Sequence, residues 1–277
     1  MKTNRNFYLA ALTLSLILMS CSKTSFTESA NESNGSLGTA PQCGNGQITV
    51  SKPARVLFVV DQSGSNKNGP NDRPGDASDP DKKFRSGVLN KFLKENEKKD
   101  NVSWGLVAFN NSSSNNLLGE SVGNNQVYFS NAPSFKNALK RFNAREDVGA
   151  TPYKSALAML KKAISQDLPK APKNVVYLVV FLTDGYPTDY CTVDEGPSCA
   201  SGLQTQRLLN DVQGIASLAP GSIQFSTAYY GLPDALASGR LEQMAKVGSG
   251  QFVDTNKSSG VLLDDLLKID QPTCVNQ

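Results

Sequence analysis

The sequence contains no histidine among its 277 residues. This absence excludes histidine as a general acid or base, serine–histidine–aspartate triads, and histidine-ligated zinc or iron. The chain also lacks the GxSxG nucleophile motif, and Gly44-x-Gly46 is not followed by the third glycine that a dinucleotide-binding loop needs. We therefore expect that the chain is not an enzyme.

The sequence also has little excess charge of either sign. Its 28 basic and 25 acidic residues leave a net charge of +3. Removal of residues 1–20 would take away Lys2 and Arg5 and no acidic residue, which lowers the net charge to +1. A chain with so small a charge has no electrostatic basis for binding nucleic acid, so we expect no nucleic-acid partner.

Long apolar runs are scarce, and the clearest one lies at the N-terminus. Two basic residues precede the stretch FYLAALTLSLILM at 7–19, which is too short to span a bilayer and is typical of an export signal. Leu18-Met19-Ser20-Cys21 resembles the bacterial lipobox, in which the cysteine is acylated and becomes the new N-terminus. We therefore expect a signal peptide over residues 1–20, lipidation of Cys21 and export to the cell envelope. An ordinary cleaved signal is the alternative.

The segment that follows has little to bury. Residues 22–42 are rich in Ser, Asn, Thr and Gly, which predicts a flexible tether between the lipid and a domain over 43–277. By resemblance to Gram-negative lipoproteins, Ser22 favours anchoring in the outer membrane rather than the inner one. The membrane would then be contacted through the N-terminal lipid alone, and we expect the domain to be monomeric.

Four cysteines remain once Cys21 is assigned to the lipid. An even number in an oxidising compartment favours two disulfides, and four cysteines allow three connectivities. We favour Cys191 with Cys199, which are close in sequence, and Cys43 with Cys274, which bracket the domain. A four-cysteine zinc site is the alternative, although no pair has the short gap that zinc knuckles prefer.

From about residue 43 the sequence alternates between two patterns. Apolar, β-branched runs predict strands at 56–60, 102–109, 126–129, 175–182, 222–230 and 251–254. Apolar residues at three and four spacing predict helices at 84–96, 134–143, 151–164, 203–218, 235–247 and 259–269. This alternation predicts an α/β, doubly wound, mostly parallel six-stranded sheet with helices on both faces.

Polar side chains follow two of these predicted strands. Asp61, Ser63 and Ser65 come directly after VLFVV, and Asp184 follows VVYLVVFLT. Ligands of open parallel sheets bind beyond the carboxyl ends of the strands, so we expect these side chains to lie at one edge. Between them in sequence, Thr151 in GATP precedes Pro152 and occupies the position of a helix N-cap.

The polar residues at these positions resemble the binding site of a known protein family. Asp61-x-Ser63-x-Ser65, Thr151 in GATP and Asp184 in FLTDG resemble the metal-ion-dependent adhesion site of von Willebrand factor A domains, over about residues 50–270. The resemblance implies a Rossmann-like fold with one divalent cation, Mg²⁺ or Mn²⁺. It also implies that Ser63, Ser65 and Thr151 bind the ion through hydroxyl oxygens, and that Asp61 and Asp184 bind it directly or through water.

The function that the resemblance implies is adhesion or recognition. Neutral hydroxyl ligands leave the cation electron-poor, so an acidic side chain of a partner protein completes its coordination. The predicted function is therefore a lipid-anchored module that binds a protein partner through the cation. The alternative is a permanent structural subunit or scaffold of an envelope assembly, with or without metal.

Three further features of the sequence lead to predictions beyond the five metal ligands. Tyr153, Tyr186 and Tyr190 are candidate partner contacts near the site, since tyrosine is favoured in interfaces, and packing of these side chains on their own loops is the alternative. A disulfide between Cys43 and the end of the chain would tie down the last helix, which predicts a fixed binder rather than a moving switch. The polar insertion at 66–82 is a candidate Ca²⁺ site, through its acidic residues Asp72, Asp76, Asp79 and Asp81.

Overall fold

The structure, a computed structural model, describes residues 47–68, 76–111, 113–191, 201–257, 266–267, 269 and 273–276. All of them lie in one unit of the chain, Ala40–Gln277. Within these residues, no helix is both long enough and apolar enough to cross a membrane.

Ten strands of the described residues form three sheets. They are β1 (Gln47–Val50), β2 (Ala54–Asp61), β3 (Val102–Asn110), β4 (Ser113–Asn116), β5 (Ser121–Val122), β6 (Asn125–Gln126), β7 (Val176–Thr183), β8 (Ile223–Tyr229), β9 (Ser249–Asp254) and β10 (Thr273–Asn276). The main sheet has six strands in the order β4-β3-β2-β7-β8-β9, and the two other sheets are the ribbons β1-β10 and β5-β6.

The main sheet is parallel except at one edge. β2 pairs in parallel with β3 on one side and with β7 on the other, whereas β4 runs antiparallel to β3. The strands β3 and β4 thus lie on one side of β2, and the later strands β7, β8 and β9 lie on its other side. The order of strands reverses between β2 and β7, which is where open α/β sheets bind ligands.

Helices cover both faces of this sheet. They are α1 (Ser65–Asn68), α2 (Lys83–Asn96), α3 (Ala132–Ala144), α4 (Tyr153–Asp167), α5 (Ser201–Ala216) and α6 (Ala235–Val247). Side chains alternate along each strand, so the sheet contributes to two separate cores. Val56, Phe58 and Val60 pack with α2 and α3, while Leu57 and Val59 pack with α4, α5 and α6.

An aromatic cluster fills the first of these cores. The ring of Phe58 lies 5.8 Å from that of Phe92 and 5.6 Å from that of Phe135. Trp104 on β3 contacts the same two rings, at 5.8 and 5.3 Å. The cluster therefore holds α2 and α3 against the centre of the sheet.

The predicted α/β fold is confirmed, with one error in the choice of the sixth strand. The run at 126–129 was predicted as a strand because it is apolar, but β6 covers only Asn125–Gln126, and Tyr128 buries its side chain from a loop. The sixth strand is β4, whose sequence SSNN carries no hydrophobic signal. The predicted helix 259–269 lies almost entirely outside the described residues.

We expect Phe58→Ala to lower the free energy of unfolding by about 3–5 kcal/mol, because it empties a fully buried ring site at the centre of the aromatic cluster. Urea unfolding of residues 40–277 measures this loss. Val122→Ala is the control, since Val122 is 73% exposed and its truncation should change stability by about 0.5 kcal/mol or less. Equal effects of the two substitutions would contradict the prediction.

Candidate functional site

The two aspartates predicted from the sequence lie at neighbouring strand ends. Asp61 is the last residue of β2, and Asp184 directly follows β7. These strands pair in parallel with Val60 opposite Leu182, so both carboxyl ends reach the same edge of the sheet. The main chain therefore delivers both carboxylates to the position where the order of strands reverses.

Asp61 is completely buried and held at both oxygens. Its Oδ1 accepts a hydrogen bond from the Ser63 backbone N–H at 2.7 Å, and its Oδ2 accepts one from the Thr183 hydroxyl at 2.6 Å. The first donor belongs to the turn that follows β2, and the second belongs to the neighbouring strand. The orientation of the carboxylate is therefore fixed by elements on two sides.

The predicted hydroxyl ligands connect Asp61 to Asp184. Ser63 Oγ lies 3.1 Å from Ser65 Oγ, and Ser65 Oγ donates to Asp184 Oδ1 at 3.0 Å. Together with the backbone bond from Ser63 to Asp61, these contacts form a continuous chain through four of the five predicted residues. Serines at alternate positions of the turn thus present both hydroxyls to the same space.

The loop that carries Thr151 is joined directly to this turn. Gly64 N–H donates to Gly149 O at 2.8 Å, and Val148 N–H donates to Gln62 O at 2.9 Å. Gly149 has a φ of +73°, and a Cβ there would lie 1.5 Å from Asn111 Oδ1, so only glycine fits. The loop brings Thr151, which is 6% exposed, beside the backbone that follows Asp184.

The predicted N-cap role of Thr151 is wrong. The N-cap of α4 is Pro152, with no side-chain capping bond. Asp189 performs the capping instead, because its carboxylate accepts hydrogen bonds from the backbone N–H groups of Lys154 and Ser155, both at 2.9 Å. The Thr151 hydroxyl thus does not cap the start of α4.

Burial makes the two site carboxylates difficult to ionise. Burial, followed by the negative charge of Asp184, raises the pKa of Asp61 to about 7. Burial also raises the pKa of Asp184, although hydrogen bonds from Ser78 and Ser65 oppose the rise. Across the described residues, neither carboxylate forms an ion pair with a lysine or arginine.

A second set of buried charged residues lies next to the site, and its two positive and two negative charges cancel. Arg85 is completely buried and pairs with Asp79 at 2.8 Å and with Asp147 at 2.9 Å. Lys82 Nζ lies 3.4 Å from the Asp147 carboxylate. Arg85 also donates to the backbone O of Asp61, at 2.5 Å. The network therefore supports the position of Asp61 and leaves its side-chain charge unpaired.

The same network explains why the calcium prediction finds no support here. Both Asp79 oxygens accept bonds at the start of α2, from the Phe84 and Arg85 backbone N–H groups at 2.8 and 3.0 Å. Asp81 pairs with Lys83 on the surface, and Asp72 lies outside the described residues. In the described part of the chain, no three His, Cys, Asp or Glu side chains are arranged to hold a metal ion. The candidate adhesion site has only two carboxylates.

An open cleft of about 420 Å³ lies at the site. Three of the five predicted ligands line it, namely Ser65, Thr151 and Asp184. Ser78 lines it too and donates to Asp184 Oδ2 at 2.6 Å. Ser78 comes from the polar insertion and was not predicted, because nothing in that loop distinguishes one serine as close to the site. Thr183 and Arg85 were also missed.

Two of the three tyrosines predicted as partner contacts are buried. Tyr153 is 1% exposed and donates to Gly185 O at 2.7 Å, which supports the loop after β7 from below. Tyr190 is 4% exposed and donates to the Asp211 carboxylate at 2.7 Å. Neither is available to a partner, so these two predictions are wrong. Tyr186 is 40% exposed and lines the cleft.

The cysteine predictions fall largely outside the described residues. Cys21, Cys43 and Cys199 all lie there, so lipidation and both disulfide pairings stay predictions. The ribbon of β1 and β10 does place Cys274 opposite Thr49. The start and the end of the predicted domain therefore meet, as the pairing of Cys43 with Cys274 requires.

No family model and no curated protein matches the chain. Solved structures do resemble it. The manganese-loaded TRAP protein of Plasmodium vivax matches with a TM-score of 0.51 and 13% identity, over 83% of this chain and 78% of the other. The PilB minor pilin of Streptococcus sanguinis matches with a TM-score of 0.50 and 16% identity, over 75% of this chain and 58% of the other.

The vWF domain of the type V pili tip protein Mfa5 from Porphyromonas gingivalis has a TM-score of 0.49 and 13% identity, over 75% of this chain and 92% of the other. The chain spans only 47% of a longer Mfa5 structure that holds three N-terminal domains. At these identities the likeness shows the fold alone. The matches to TRAP and PilB agree with the doubly wound α/β fold predicted from the sequence.

Without divalent cations, we expect the free energy of unfolding to fall as the pH rises from about 4 to 7. The pKa of Asp61 is about 7 in the folded chain against an ordinary value of 3.8, so in this range the folded state keeps a proton that the unfolded state has released. Stability present at low pH is therefore lost as the pH rises. Urea unfolding in EDTA at several pH values measures the slope.

Asp61→Asn is the matched variant for this experiment, because the amide keeps the shape of the side chain and does not titrate. The variant should lose the part of the slope that belongs to Asp61. Identical pH profiles for the two proteins in EDTA would contradict the assignment.

Proposed function

We propose that the chain is a protein-binding module that holds one divalent cation, Mg²⁺ or Mn²⁺, and through it captures an acidic side chain of a partner protein. The ligands are Asp61, Ser63, Ser65, Thr151 and Asp184. One observation supports this proposal above the others. Two buried carboxylates converge with hydroxyls at one edge of the sheet, where Asp184 lines an open cleft, and no cationic side chain of the described residues pairs with either carboxylate.

The charges of the site fit a divalent ion. Two ionised carboxylates carry a charge of −2, and the nearby Lys82 and Arg85 are already paired with Asp79 and Asp147. Burying uncompensated charge is costly, and a bound cation removes that cost. Each donor in the site is an oxygen, which is the ligand that Mg²⁺ and Mn²⁺ prefer.

The donor types also explain how an ion in the site would bind a partner. Hydroxyl ligands carry no charge, so they leave the cation able to attract a further carboxylate. The cleft gives that carboxylate access, since Ser65, Thr151 and Asp184 all line it. The chain's own residues therefore supply positioning and charge, and the partner completes the coordination.

The structural neighbours are consistent with this function. The TRAP structure is described as manganese-loaded, and PilB is described as a minor pilin. We propose by extension that this chain too works outside the cytoplasm. Acylation at Cys21 would anchor it in the bacterial envelope, at the outer membrane, and the segment 22–42 would let the domain stand off the membrane surface. Two or more acyl chains make such an anchor stable.

A second candidate function is a permanent subunit of an envelope assembly. The likeness to a minor pilin favours it, since a pilin acts within a larger assembly. The two functions differ in reversibility. A recognition module should release its partner in EDTA, whereas a permanent subunit should co-purify with its partner and bury a large interface with it.

We expect residues 40–277 to bind one Mg²⁺ or Mn²⁺ per chain, and Asp184→Ala to reduce the affinity at least about tenfold, because it removes one of the two site carboxylates. Calorimetric titration of each cation measures both. Asp254→Asn is the matched control, since Asp254 also ends a strand but lies 3.5 Å from Lys257 Nζ. Absence of saturable binding to the folded wild-type protein would refute the proposal.

We expect Cys21→Ser to move the full-length protein from the membrane fraction to the soluble fraction of a bacterial host, because it removes the only atom that the lipid can join at the lipobox. Fractionation and metabolic labelling with a fatty acid measure the change. Equal labelling of both proteins would contradict lipidation at Cys21.

A further inference from the structure

We propose that the partner's acidic residue is accompanied by an aliphatic or aromatic side chain, and that this side chain occupies the cleft beside the metal site. The inference rests on the proposed function and specifies the chemistry of the partner. It concerns one part of the cleft, formed by Tyr186, Tyr229, Leu232 and Pro233, which we call the apolar wall.

Two chemically different groups of residues line the cleft. The first group carries polar side chains, namely Ser65, Ser78, Thr151, Asp184, Thr188 and Asp234, and the second group is the apolar wall. The volume of about 420 Å³ exceeds what a single carboxylate needs. A cavity of about 150 Å³ already holds benzene, so the cleft has room for a carboxylate and a neighbouring side chain of leucine or phenylalanine size.

Two large side chains of the apolar wall are exposed although such side chains favour burial, whereas Tyr229 is buried. Tyr186 is 40% exposed and Leu232 is 46% exposed, and Leu236 nearby on α6 is 68% exposed. Large apolar side chains grouped at one place on a surface mark an interaction site more often than scattered ones do. Here the group adjoins the oxygen donors, so a partner that reaches the metal also covers the wall.

The apolar wall is also held rigidly at a fixed position from the metal site. A Cβ at Gly231 would lie 2.2 Å from Asp184 O, so the loop bearing Leu232 packs directly against the backbone of a metal ligand. The Tyr229 hydroxyl donates to Leu232 O at 2.5 Å. These contacts set the spacing between the cation and the wall before any partner arrives.

The ring of Tyr186 is fixed from two directions. Its hydroxyl donates to the Asp234 carboxylate, and the guanidinium carbon of Arg240 lies 5.4 Å from the ring centroid. Asp234 is itself held at the start of α6 by the Leu236 and Ala237 backbone N–H groups. A preorganised aromatic surface loses little entropy on binding, which is the property of a contact residue that contributes strongly to affinity.

The experiment compares two small carboxylates on Mg²⁺-loaded residues 40–277, first shown to bind the metal by calorimetry. The probes are acetate, which reaches only the cation, and 4-methylpentanoate, which adds a branched apolar tail. NMR titration measures both affinities. We expect 4-methylpentanoate to bind at least about tenfold more tightly than acetate, because methylene groups of its tail leave water at the apolar wall.

Variants then locate the contact. Leu232→Ser should remove most of the difference between the two probes while leaving the affinity for acetate unchanged. Val122→Ser is the matched control, since it also removes an exposed apolar side chain, 73% exposed, from the β5-β6 ribbon, which does not line the cleft. This control should keep the full difference.

The outcomes separate the inference from the function on which it rests. Metal binding with equal affinity for both probes overturns the apolar contact and leaves the proposed function standing. Metal binding with affinity for neither probe overturns both the apolar contact and the capture of a carboxylate, and leaves only the metal site. A difference that survives Leu232→Ser also overturns the apolar contact. Absence of metal binding overturns the proposed function, and the inference with it. The comparison of probes on the wild-type protein needs no variant to fold.

Discussion

The approach of two buried carboxylates is the constraint on which the rest of the candidate site depends. β2 and β7 are adjacent, central and parallel, so Asp61 and Asp184 are brought together by the same hydrogen bonds that build the sheet. Ionising both carboxylates is unfavourable without a cation, because burial and, second to it, the negative charge of Asp184 raise the pKa of Asp61. The surrounding donors oppose that cost only in part. The stability of the sheet therefore holds the two carboxylates together. A bound cation would remove the cost of their buried charge, and this relief would contribute to the free energy of ion binding.

The buried cations near the site do not cancel this arrangement, because they are committed elsewhere. Arg85 and Lys82 are paired with Asp79 and Asp147, so the network is balanced without drawing on the site carboxylates. Arg85 reaches Asp61 only at the backbone carbonyl. The guanidinium thus acts as a support for the end of β2. Two sets of buried charge lie next to each other, one neutral in itself and one that lacks a counter-ion among the described residues.

The sequence was informative where a residue's role is local and less so where it depends on distant packing. The alternation of apolar runs and helical periodicity identified the fold, and the strand ends identified Asp61 and Asp184, because parallel strands share an edge. The roles of Ser78 and Arg85 depend on how an insertion and a helix return to the site, which no local pattern encodes. Tyr153 and Tyr190 lie near the site in sequence but point into the core. Exposure follows from the packing of α4 and α5, so sequence proximity misjudged it.

The edge strand β4 has a consequence for how copies of this chain meet. Its four residues, SSNN, are short, polar and antiparallel to β3, and they supply no apolar side chain that a second strand could bury. Unpaired backbone groups at a sheet edge invite another chain to add a strand, and proteins counter this with short or polar edges. At this edge the chain thus offers a poor template for strand addition. Crowding many copies together would then favour separate molecules over fibres grown from β4.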